Sequence, residues 1–114
     1  MKDFDGKLKY KEKEYKLVFN LNVMEAIQEE YGSIEEWGNL TGASDNEPNA
    51  KAVIFGFTQM LNEGIDIEND ENGTDLKPLT LKQVGRMISE IGMAKATTSM
   101  KETVVASTKS EEKN

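Results

Sequence analysis

The chain has 114 residues, a net charge of −7, no cysteine and no histidine. That length suits one small domain, and the missing residue types remove disulfides, thiolate metal sites, Ser–His and Cys–His catalysis and the commonest metal ligand. The acidity disfavours nonspecific binding to nucleic acid or anionic lipid. No apolar run is long enough to span a membrane, and the MKDFDG start is unlike a signal peptide, so the expected location is the cytoplasm.

The first expected element is an antiparallel hairpin. Tyr15, Leu17, Phe19 and Leu21 alternate with polar or smaller residues, the period-2 mark of a half-buried strand. Setting Tyr10 against Tyr15 also sets Leu8 against Leu17, Gly6 against Phe19 and Phe4 against Leu21. This register gathers the large apolar groups on one face and leaves Lys7, Lys9 and Lys11 on the other. The turn then falls on Glu12-Lys13, which lacks the Asn-Gly or Gly-X signal of a tight turn. The lysine-rich face reads as a solvated one that blunts an edge strand.

The period changes after Leu21. Val23, Met24, Ile27 and Tyr31 have helical spacing, with Asn22 as the expected N-cap, Glu25 closing a capping box, and Gly32 as the stop. Ser33 to Glu36 forms a second box, opening a short helix that carries Trp37, expected to cover the core. Residues 40–47 read as a linker. Pro48 suits the first turn of a helix whose stripe is Ala50, Val53, Ile54, Phe57, Met60 and Leu61, with Gly64 as its end. Phe55 lies off that stripe, so either the helix is buried on two sides or Phe55 faces a partner. Gly56 costs about 1 kcal/mol relative to alanine in a helix, and a close helix–helix approach would account for it. Residues 65–78 read as an acidic loop.

Thr80 and Gln83 form a third box ahead of the stripe Leu81, Val84, Met87, Ile88 and Ile91, stopped by Gly92. Beyond it Met93, Ala96, Met100 and Val104 keep helical spacing, but the stripe is thin and rich in threonine and valine. It reads as a marginal helix, either meeting a partner or docking on its own domain. The expected organisation is one α+β domain over residues 1–92, a marginal helix over 93–106 and a disordered tail over 107–114. The domain is an N-terminal antiparallel β-hairpin packed on a small bundle of three to five helices, with Ile27, Val53, Phe57, Val84 and Ile88 at its centre.

No catalytic set emerges, and there is no glycine-rich phosphate loop. Glu68, Asp70, Asn72 and Gly73 can be laid on EF-hand positions, but Leu79 then stands where a bidentate glutamate is required. No metal and no cofactor is expected. The expected class is a binding or assembly protein rather than an enzyme, and the candidate partner-binding residues are Phe55, Met93, Ala96, Met100 and Val104.

The order of these parts resembles the tail assembly chaperones of long-tailed bacteriophages, especially those of Gram-positive hosts. There a short hairpin leads into a helix patterned like Asn22, Ile27, Glu29, Glu30, Tyr31 and Gly32. A middle helix like Val53, Ile54, Phe57, Leu61 and Gly64 follows, and then a segment like Leu79, Thr80, Val84, Gly85, Met87 and Ile88. The resemblance spans residues 5 to about 92.

The resemblance implies a protein that binds the tape-measure protein during tail morphogenesis. It keeps that protein's long apolar helices in solution, helps recruit tail-tube subunits and leaves before the virion is complete. Homo-oligomers around the client are compatible with it, and neither nucleic acid nor membrane is an expected partner. The alternative is another phage or prophage adaptor, such as a head–tail connector or a small protein-binding regulator.

Overall fold

The computed structural model describes residues 6–43 and 47–112. Strands β1 (Lys7–Tyr10) and β2 (Lys13–Lys16) form the N-terminal antiparallel hairpin. Its register differs from the expected one by two residues. Leu8 faces Tyr15 and Tyr10 faces Lys13, so the turn is Lys11-Glu12 rather than Glu12-Lys13. Both turn residues have positive φ, 49° and 65°. That is the backbone of a two-residue turn whose twist matches the strands. Lysine and glutamate carry no sequence signal for it, which is why the turn was not legible. Because the side-chain period is two, the slip leaves Leu8, Tyr10 and Tyr15 on their expected face, whereas Leu21, expected on that face too, is 76% exposed. Phe4 lies outside the described residues, and Leu21 is not in a strand at all.

The chain leaves the hairpin at once. The Leu17 N–H donates to the Gly6 carbonyl at 2.6 Å, and the Val18 N–H donates to the Met60 carbonyl at 3.2 Å. Helix α1 (Leu21–Tyr31) then begins two residues earlier than expected, capped by Asn20 and not Asn22. The Asn20 Oδ1 accepts from the Val23 N–H at 3.2 Å. Asn22 stands in the first turn, where its amide and that of Asn20 both donate to the Glu63 carboxylate, at 3.0 and 2.8 Å. Gly32 ends the helix as expected, its N–H returning to the Gln28 carbonyl. Ser33 caps α2 (Ile34–Gly38), accepting from the Glu36 N–H at 3.0 Å. A wide π-type turn, Asn39–Ala43, broken at Gly42, follows where the sequence suggested a linker.

Helix α3 (Ala50–Asn72) is the axis of the fold. Its 23 residues make a rod about 34 Å long. Asn49 caps it through the Ala52 N–H at 2.9 Å. The expected end at Gly64 is not an end. A Cβ there would lie 2.3 Å from the Lys16 carbonyl oxygen, so glycine is required by the hairpin backbone pressing on the helix, not by a stop. Helix continues through most of the stretch expected to be an acidic loop and finishes at Gly73, whose φ of 66° gives the left-handed cap. Glu68 and Asp70 are therefore helical and do not sit in a loop of EF-hand form. The segment after Gly73 is held by two asparagines of α3. Asn69 exchanges hydrogen bonds with the backbone of Leu76, and Asn62 does the same with Leu79.

Helix α4 (Leu81–Ile91) opens with the complete Thr80–Gln83 capping box and stops at Gly92. Helix α5 (Met93–Glu112) starts at the next residue and runs past the expected boundary at 106, through six of the residues read as a disordered tail. The architecture is an α+β fold: one hairpin and five α-helices around a single core. Ile27, Val53, Phe57, Val84 and Ile88 are all buried there, with Leu8 and Leu17 supplied by the hairpin arm.

Candidate functional site

The residues expected to meet a partner do not act together. On α5, Ala96, Ser99, Met100 and Thr103 are buried, and this face packs on α3 and α4. The Thr103 hydroxyl is satisfied within the helix, donating to the Ser99 carbonyl at 2.8 Å. Ala96 and Met100 are thus core residues, and the docking of α5 on its own domain holds for this half of the stripe. Met93 and Val104 are half-buried at the margins of the core. Phe55 is half-buried too, with its ring edge-on to Tyr31 at 5.7 Å between centroids and 74° between planes. Helix α3 is buried on more than one side, which answers why Phe55 stands off the main stripe.

A different surface comes together beside α5. An open groove of about 460 Å³ runs between α5 on one side and α2 with the following π-turn on the other. Its apolar lining is Ile34, Trp37, Pro48, Met100, Val104 and Val105. Trp37 is anchored from behind. Its indole N–H donates to the Ala52 carbonyl at 3.0 Å, and its six-membered ring lies where a Cβ on Gly56 would be, 2.3 Å away. So the close approach expected at Gly56 is real, but it is made by an indole rather than by a second helix. Val105 is 45% exposed and stands on the α5 face turned from the core.

The polar groups in the groove are mostly spent. The Thr41 hydroxyl donates to the Gly38 carbonyl at 3.2 Å and the Thr97 hydroxyl to Ala94 at 3.1 Å. Lys101 is the charged residue of the lining. A site of this kind offers contact area rather than directed hydrogen bonds or acid–base groups. Among the described residues no cluster of three Asp or Glu side chains is placed to hold a metal ion, and no helix is long and apolar enough to cross a membrane.

No family model, curated protein or solved structure matches the chain. What the chain does is therefore argued from its own surface.

Of the residues expected to meet a partner, Met100 and Val104 line this groove; Trp37 is buried in the core, as expected, and Ile34, Pro48 and Val105 carried no expectation of a site. The single available signal was the Val104-Val105 pair. Adjacent positions on a helix point about 100° apart, so with Val104 at the margin of the core Val105 is turned further toward solvent. Nothing in the sequence says that α2 and α5 lie side by side.

A second unusual group is the Tyr31 hydroxyl. The ring is half-buried, but its oxygen is closed off from solvent and has no hydrogen-bond partner. Burial, helped by the neighbouring Glu30 carboxylate, pushes this phenol above its ordinary value. A buried hydroxyl without a hydrogen-bond partner is a cost to stability.

Proposed function

We propose that the chain is an assembly chaperone of the phage-tail type, which binds the tape-measure protein in the host cytoplasm, helps bring tail-tube subunits to it and is left out of the finished virion. It acts by contact alone, with no catalytic role and no cofactor. The order of hairpin, capped helices and helical C-terminus supports the reading, and so does the acidic surface, which would keep an apolar client in solution. The observation that carries most weight is the apolar groove beside α5. A client built of long amphipathic helices is bound most simply by laying an apolar face into such a groove.

The test is to produce the tape-measure protein of the same phage with and without this chain. The expected outcome is a soluble complex in its presence and aggregation in its absence, with the chain undetected by mass spectrometry in purified virions. A tape-measure protein equally soluble alone would defeat the reading. Stoichiometric retention in virions would replace it with a connector.

A further inference from the structure

We propose that Asn72 is a site of spontaneous, one-way deamidation, and that the last turn of α3 sets its rate. The proposal does not depend on what the chain binds. Asn72 is the last residue of α3 and is exposed, and Gly73 follows it in the left-handed conformation. This is the one Asn-Gly pair in the sequence. Glycine has no Cβ to keep its backbone nitrogen away from the preceding side chain, so the Gly73 nitrogen can attack the Asn72 Cγ. A bond forms between them, the Cγ–Nδ2 bond breaks, and the amide leaves as ammonia with the proton from Gly73. Water then opens the resulting cyclic imide at either carbonyl, leaving aspartate or isoaspartate at position 72.

The structure singles this residue out and then restrains it. Asn20, Asn22, Asn49, Asn62 and Asn69 each commit the carboxamide to a helix cap, to Glu63 or to the segment after α3. The Asn72 carboxamide has no such partner among the described residues. Its nucleophile, however, is held. The Gly73 N–H donates to the Asn69 carbonyl at 3.0 Å. The chain beyond Gly73 is clasped by the same residue, whose Oδ1 accepts from the Thr74 hydroxyl at 2.7 Å and from the Leu76 N–H at 2.9 Å. The reaction therefore waits on the opening of the last helical turn, which runs into a fully exposed stretch. Its product weakens that turn in return. A new carboxylate stands at the negative end of the helix, next to Glu71, and isoaspartate lengthens the backbone just before the cap. Loss of ammonia makes the change irreversible.

The test follows the full chain in mildly alkaline buffer, folded and in denaturant, with fragment mass spectrometry reading the amide-to-acid change at each asparagine. In the folded chain Asn72 should convert ahead of every other described asparagine, and more slowly than it does in the unfolded chain. Asn69→Ala removes the clasp and should speed the folded-state reaction about 3- to 10-fold, the factor by which one lost hydrogen bond shifts an opening equilibrium. Thr74→Val leaves Asn69 itself in place, so it tests the same restraint should Asn69→Ala fail to fold, and should speed the reaction more modestly. An Asn72 left intact in the folded chain after full conversion of the unfolded one would overturn the proposal. So would conversion no faster than at the other described asparagines, equal rates in the folded and unfolded chains, or a rate that neither variant changes.

Discussion

Phe57 is wholly buried on α3, and Phe57→Ala should cost about 3–5 kcal/mol in denaturant melts; a loss under about 1 kcal/mol would show the core to be elsewhere. Two glycines make a sharper pair. Alanine in a helix interior gains about 1 kcal/mol over glycine. At Gly85 the new Cβ meets only the Ile54 side-chain end at 3.5 Å, an ordinary contact, so Gly85→Ala should stabilise by nearly that amount. At Gly64 it meets the Lys16 carbonyl at 2.3 Å, and the overpacking, about 1–3 kcal/mol, outweighs the gain. Gly64→Ala should therefore lower the melting temperature and Gly85→Ala raise it. Tyr31 provides a pH test. Its phenol is pushed up by burial and by Glu30, so the folded chain holds that proton more tightly than the unfolded one. The associated stability is intact below about pH 10 and is lost as pH rises through the raised native value. Tyr31→Phe removes an unpartnered hydroxyl but keeps the ring against Phe55. It should be at least as stable at neutral pH and lose less stability on the alkaline limb, followed by thermal melts from about pH 7 to about pH 11.

At the scale of elements, helix stops and caps were legible where the signal is local. Gly32, Ser33, the Thr80–Gln83 box and Gly92 all act where their sequence places them. Two glycine and asparagine readings failed because a distant element decided them. Gly64 looked like a stop, but its reason is a strand from the other end of the domain. Asn22 looked like the cap, but Glu63 gathers both asparagine amides and Asn20 takes the capping geometry. Asn20→Ala should accordingly cost about 1 kcal/mol through the lost cap, and Asn22→Ala appreciably less. The groove was illegible for the same reason as Gly64: its two walls are distant in sequence. Helix α5 was underestimated because a thin stripe suffices when small residues let the helix sit close. Alanine, serine and threonine share its buried face with Met100. Amide hydrogen exchange should show residues 96–103 protected nearly as well as α4, with faster exchange beyond 105 where the apolar contact ends. Uniformly fast exchange over 93–104 would restore the picture of a helix that forms only on a partner.

For the molecule as a whole, α3 has one further consequence, and it concerns how the fold is reached in time. Every extensive contact between elements either joins neighbours along the chain or involves α3. The hairpin and α1 come to it from the N-terminal side, α4 and α5 from the C-terminal side. The described polar links from the hairpin tip to α4 are exposed ones, Tyr10 and Lys11 to Glu90. No closure of the full chain length is needed before native contacts begin to accumulate, since the central rod divides the search into two shorter ones. The two flanks can dock in either order, so substitutions within α3 should slow folding, whereas those at the hairpin tip or in the outer half of α5 should mainly speed unfolding. A chain organised this way can loosen one flank while the other stays closed, and the flank bearing α5 is also the one that forms a wall of the groove.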